Sequence, residues 1–110
     1  MKKERYMTDS EVLFGSEFKL NINVEPISGV TMDDYDFSLE VSTPRSAQRF
    51  TKPQLIRIDQ NNYMVALDSN ILGIGPIKCV VTAEVPDDDF DGGYRTEVRS
   101  VNTGIVIRRK

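Results

Sequence analysis

The stretch IKCVVTAEV, residues 77–85, alternates between two faces without a break. Ile77, Cys79, Val81, Ala83 and Val85 fall on one side, and Lys78, Val80, Thr82 and Glu84 on the other. A period of two belongs to an extended strand with one side against a core. A helix needs apolar residues three and four positions apart, and no stretch of the chain sustains that spacing over ten residues. The two-residue period recurs in FKLNINV at 18–24, where Phe18, Leu20, Ile22 and Val24 share a face until Pro26, which has no N–H for a ladder. Phe37, Leu39 and Val41 form a second run, and residues 47–51 a third, edge-like one. Leu55, Ile56 and Ile58 lead across DQNN at 59–62 to Tyr63, Val65 and Leu67, the pattern of a hairpin. In DSNILGIGP, Asp68 or Ser69 caps one helical turn ending at Gly73, or a tight loop stands there. The last run, YRTEVRSVNTGIVIRR, contains Gly104 as a bulge or bend, and a register shift is expected between Val98 and Val101 on one side and Val106 on the other.

Short runs at roughly ten-residue spacing with turn signals between them predict an all-β protein. The expected architecture is an immunoglobulin-like antiparallel β-sandwich of about seven short strands. The cysteine pair and tryptophan of antibody domains are missing, since the chain has one cysteine and no tryptophan. Residues 1–16 keep no period and read as an irregular N-terminal arm, leaving 17–110 as the sandwich domain. A chain of 110 residues fits one domain. Roughly two-thirds of its unfolded surface becomes buried, enough for a core without disulfides or metals.

Composition excludes several chemistries. There is no histidine, which removes the usual neutral-pH base, the commonest zinc ligand and every His-containing triad. A formal charge of −3 disfavours non-specific nucleic-acid binding. No apolar run reaches the roughly 18 residues of a membrane span. The charged start Met-Lys-Lys-Glu-Arg-Tyr is not followed by an apolar segment of a signal peptide, so synthesis in the cytoplasm is expected. Basic residues gather at the ends, with Lys2, Lys3 and Arg5 at one and Arg108, Arg109 and Lys110 at the other. They read as solvated tails or as contacts to an acidic neighbour.

PDDDFDGGYRTE at 86–97 is the place where site chemistry could hide. Asp87, Asp89, Asp91 and Gly92 match the first half of an EF-hand calcium loop, in which alternate carboxylates converge on a hard cation. The second half fails: the twelfth position is Val98 instead of a bidentate glutamate, and Glu97 comes one place early. These aspartates are weak calcium candidates, and no cofactor is expected. The other reading is a turn: Pro86 stops a strand, Gly92 and Gly93 supply positive φ, Phe90 packs the connection back, and Arg95 offsets the charge. Such a loop is also a natural contact surface. Cys79 alternates inward with Ile77 and Val81 and reads as a small buried hydrophobe. Asp33, Asp34 and Asp36 beside Tyr35 contain the residue types of a glycosidase carboxylate pair. A hydrated loop with Tyr35 folded inward is the expected form. Tyr6, Met7, Leu13 and Phe14 on the arm, with Phe90, are the candidates for docking on a neighbour. The arm residues could equally cover an open end of their own sandwich.

The phrases EFKLNINVEPISGVTMDDYDFSLEV, ILGIGPIKCVVTAEVPDDDFDGGYRTEV and NTGIVI cover about two-thirds of the chain. Together they resemble small proteins of tailed phages and prophages of Bacteroides-type bacteria, including crAss-like phages. The resemblance implies a non-enzymatic virion component: an auxiliary capsid, head-fibre or tail-associated module with an immunoglobulin-like sandwich. It implies other virion proteins as partners, in multiple copies, with no nucleic acid and no membrane, and a place in the virion after synthesis in the host cytoplasm. It supplies no active-site residues. A carbohydrate or cell-surface binding module and a calcium-dependent adhesin domain of such a bacterium are the alternatives.

Overall fold

The computed structural model describes residues 11–23 and 30–110, with the backbone but not the side chains of 101 and 102. Tyr6, Met7 and Pro26 lie outside the described residues. Eight strands are described: β1 (Glu11–Leu13), β2 (Glu17–Ile22), β3 (Asp36–Ser42), β4 (Ala47–Thr51), β5 (Ile56–Asp59), β6 (Asn62–Asp68), β7 (Gly75–Pro86) and β8 (Tyr94–Arg108). They form a five-stranded sheet in the order β1-β8-β7-β3-β4 and a three-stranded sheet in the order β2-β6-β5. Every pairing is antiparallel except that of β1 with β8.

Alternation sets which face of each strand is dry. In β7, Ile77, Cys79, Val81, Ala83 and Val85 are all buried, as the period of two predicts. Phe37, Leu39 and Val41 of β3 lie beside them, with Phe37 opposite Ala83, Leu39 opposite Val81 and Val41 opposite Cys79. From the other sheet come Leu20 and Ile22 of β2 and Tyr63, Val65 and Leu67 of β6, in the same buried cluster. Two facing sheets closing over one core make a β-sandwich. Fully burying a Val, Leu, Ile or Phe side chain contributes about 1.5–3 kcal/mol, so these interleaved rows dominate the driving force.

The residues around 68–73 do form one helical turn, α1 (Ser69–Leu72). The Asp68 side chain accepts from the Asn70 N–H, and the Gly73 N–H donates to the Ser69 carbonyl. Ser69 and Leu72 are wholly buried. The Ser69 hydroxyl accepts from the Gly15 N–H at 2.8 Å, and the Ser69 N–H donates to the Ser16 carbonyl at 3.0 Å. The helical turn thus closes one end of the sandwich and holds the β1–β2 corner.

That corner corrects the sequence reading of the arm. Of the expected arm, Glu11–Leu13 is not irregular but a strand parallel to β8, and Phe14 in the turn after it packs half-buried against the core. A three-residue strand is too short to display a period, and its partner lies some ninety residues away. The register shift at Gly104 is present: Pro76 faces Val106 while Lys78 faces Asn102, so Ile77 stands against Thr103, Gly104 and Ile105. Gly104 has φ 72°, a conformation costly for residues with a Cβ. Because the bulge inserts an even number of residues, the faces do not exchange. Odd-numbered positions of β8 face inward on both sides of it, from Arg95 opposite Val85 to the buried Ile107.

Candidate functional site

Two clusters of ionisable side chains sit outside the core. The first gathers around the connection into β3. A single 3-10 turn, Met32–Asp34, opens with Thr31, whose N–H and hydroxyl both donate to Asp34 Oδ2 at 2.8 and 3.1 Å. Met32 and Tyr35 on either side are buried, which draws the turn down onto the sandwich. Asp33 accepts from Arg57 of β5 through Nε at 2.9 Å and Nη2 at 2.7 Å, and from the Tyr63 hydroxyl of β6 at 2.5 Å. The Arg57 hydrogen bonds, followed by that from Tyr63, hold the Asp33 carboxyl down at about 2. Lys52 Nζ donates to the carbonyls of Met32 at 2.9 Å and Tyr35 at 2.8 Å, and also reaches that of Asp33. The same ammonium stands 5.5 Å from the Phe37 ring centroid and 5.7 Å from that of Tyr63. Tyr35, Phe37 and Tyr63 stack in a row, the last two edge to face at 5.3 Å.

A depression of about 390 Å³ lies here, lined by Asp33, Asp34, Tyr35, Asp36, Lys52, Glu84 and Tyr94. Its carboxylates are committed to local partners. Asp33 holds Arg57 and Tyr63, Asp34 caps its turn, Asp36 accepts from the Phe37 N–H, and Glu84 accepts from the Thr96 hydroxyl. General acid–base work needs two carboxyl groups in unlike environments aimed at one bond. Here Asp33 is ion-paired and held fully ionised at neutral pH, so it is unsuited to the acid role. Tyr35 is folded inward as expected, and burial pushes its hydroxyl up to about 12. Cys79 is buried, and burial alone raises its thiol to about 11, which leaves it protonated at neutral pH.

The second cluster is the β7–β8 hairpin with the start of β8. The turn is closed by its own backbone: the Asp87 N–H donates to the Gly93 carbonyl, and the Gly93 N–H to the Phe90 carbonyl. Gly92 and Gly93 take φ of 83° and 81°, the positive values expected of them. Asp87 accepts from the Asp89 N–H at 3.0 Å and from Arg95 Nη1 at 2.6 Å. Those two contacts, the backbone one first, lower its carboxyl below the usual range. Arg95 continues to Glu97 at 3.1 Å, and Glu97 to Arg99 Nε at 2.6 Å. This chain of four charges runs along the inner face of β8, where Arg95, Glu97 and Arg99 stand opposite the buried Val85, Ala83 and Val81. Here paired charges take the place of apolar side chains.

Of the calcium candidates, Asp87 is engaged by Arg95, whereas Asp89 and Asp91 are exposed. Among the described residues no group of three or more His, Cys, Asp or Glu side chains converges on a point where a metal could sit. Phe90 does not pack the connection back as expected: it is 52% exposed, on a hairpin tip that projects past the last ladder pair, Pro86 with Tyr94. Of the described docking candidates, Leu13 is also exposed while Phe14 is spent on the core. Sequence reasoning missed Ile56 and Ile58 of the edge strand β5 and Tyr94 and Val98 of β8, all exposed. The sequence pattern pointed the other way for Val98, since it lies on the opposite parity from Arg95, Glu97 and Arg99, which alternation reads as the dry face. Comparison with protein-family models, with curated proteins and with solved structures found no match.

Proposed function

We propose that this protein is a non-enzymatic structural and interaction component of a tailed-phage particle, built on an immunoglobulin-like sandwich. The strand order supports the fold assignment. With β2, β6 and β5 taken as strands B, E and D, the order β8-β7-β3-β4 corresponds to G-F-C-C′ of a variable-type domain. The observation that carries the functional reading is where the exposed apolar side chains lie. Leu13, Ile56, Ile58, Ile71, Phe90, Tyr94 and Val98 sit on β1, β5, α1, β8 and the hairpin, at places from which a neighbour is reached. Recognition through strand edges and loops on a rigid sandwich, repeated by particle symmetry, fits that distribution. The partners would be other virion proteins, in multiple copies.

The test is fractionation of filtered lysate from an induced host on a density gradient, with an antibody to this chain. Sedimentation with DNA-containing particles is expected. Recovery only in the soluble fraction, with none on particles, would overturn the reading.

A further inference from the structure

The sandwich carries opposite charges at its two ends. Strand β7 sets the direction, from Gly75 at one end to Pro86 at the other, about 35–40 Å apart at the usual strand rise. At the Pro86 end, the β7–β8 hairpin presents Asp88, Asp89 and Asp91, exposed and in no ion pair among the described residues. Asp36 and Glu84 stand just behind them, paired across β3 and β7. The cations of this end are already committed: Lys52 to backbone carbonyls, Arg57 to Asp33 and Arg95 to Asp87. At the Gly75 end the balance reverses. Arg45 in the β3–β4 turn, Lys78 of β7, and Arg109 and Lys110 after β8 make no ion pair among the described residues. Of the acids there, Glu11 is held by Arg108 and Asp68 caps α1, which leaves Glu17.

Each end also has a shape. The hairpin tip projects past the last ladder pair and carries Phe90 among its aspartates. The Gly75 end has a recess of about 460 Å³, in which Pro44 and Pro76 supply apolar surface, Ser42 and Ser100 hydroxyls, and Lys78 a cation. The Arg45 stem lies beside it, packed so closely over Gly73 that a Cβ there would stand 3.1 Å from it. An aromatic ring flanked by carboxylates matches such a recess. The ring covers the proline surface, and the carboxylates meet lysine and arginine in charge-assisted hydrogen bonds. The same pair of strands, β7 and β8, carries that element at its opposite end.

We infer that copies of this chain stack end to end, the β7–β8 hairpin of one seated by Phe90 in the Pro44–Pro76–Lys78 recess of the next. The contact is heterologous: plug and socket are different surfaces, so each pairing leaves one of each free, and the stack extends or closes into a ring. This goes beyond the particle reading and stands or falls separately, since it concerns how copies meet and not where they are found.

Sedimentation of the full chain at low salt tests it. Association that continues past two copies is expected. Raising salt from about 0.01 M to about 0.1 M cuts the screening length from about 30 Å to about 10 Å and should weaken it. Phe90→Ser removes the plug and Lys78→Glu reverses the socket. Both positions are exposed, so both variants should melt as the unmutated chain does, with association at least about tenfold weaker. Mixed together, the two should pair one to one and stop there, because Phe90→Ser keeps its socket and Lys78→Glu keeps its plug. Arg45→Glu takes the place of Lys78→Glu if that chain loses its cooperative melt. A chain that stays monomeric up to about 100 µM, a concentration at which even weak specific pairs associate, would overturn the inference. So would an unmutated complex that stops at two copies, association untouched by Phe90→Ser, or no pairing in the mixture. Association that requires removal of residues 1–10 would overturn it for the intact protein, by assigning the recess to the chain's own N-terminal segment.

Discussion

The connection into β3 and the hairpin between β7 and β8 are built from nearly the same letters. One carries Asp33, Asp34 and Asp36 beside Tyr35; the other carries Asp87, Asp88, Asp89 and Asp91 beside Phe90. In the first, the aromatic ring is buried and Asp33 is tied to strands of the opposite sheet, Arg57 and Tyr63 lying 24 and 30 residues away. In the second, the ring is exposed and the one ion pair reaches eight residues along the same hairpin. Acidic composition keeps a connection hydrated in both cases. Whether it also becomes part of the framework depends on long-range cations, and among the described residues the β3 connection has them.

The sharpest way to break this contrast is at Lys52. Replacing it by Met keeps the stem but strips a shared donor from the carbonyls of Met32, Asp33 and Tyr35. A loss of about 2 kcal/mol is expected in urea unfolding, because orphaned acceptors cost more than a made bond returns. A change within experimental error would mean that the β3 connection is no more anchored than the hairpin.

Acid titration comes next. Folding lowers the Asp33 carboxyl from 3.8 to about 2, so the folded form binds its proton more weakly than the unfolded chain does. Its contribution is complete above about pH 4 and is lost as pH falls through about 2. Melting temperature should therefore drop across that window, and Asp33→Asn should both lower it at pH 6 and flatten the drop. Equal acid slopes for Asp33→Asn and the unmutated chain would remove the assigned role.

Arg95→Ala should act more locally than Lys52→Met. Amide exchange is expected to quicken at Asp89, whose N–H donates to the carboxylate that Arg95 holds, while amides of β3 and β7 keep their protection. Loss of protection in β3 as well would make the hairpin part of the same framework. The smallest expected effect is that of calcium. At millimolar calcium the melting temperature should move by less than about 1 °C, since a ligand stabilises only in proportion to its occupancy of the folded form. A rise of several degrees, abolished by Asp89→Asn, would make the hairpin a cation site.

Much of the sandwich was legible in the sequence because its information is local. The buried rows of β3, β6 and β7 each declare themselves within seven to twelve residues, and α1 is announced by Asp68 at one end and Gly73 at the other. β1 was not legible, since three residues hold no period and the partner strand is at the opposite end of the chain. The hairpin's turn chemistry was legible from Gly92 and Gly93, whereas the exposure of Phe90 was not. Whether an aromatic ring finds a surface depends on what lies beneath the loop. The Asp33–Arg57–Tyr63 cluster left no trace in spacing, because its members belong to three elements that meet only after the sheets close.

By itself, then, the order of apolar and polar residues determined that this chain makes strands, which face of each is dry, and where it turns, because pleat and turn geometry act over a few neighbouring residues. The tertiary structure alone decided which strands pair, which charges meet across the two sheets, and which apolar side chains are left outside. Those outcomes depend on contacts between residues far apart in the chain, for which no local pattern exists.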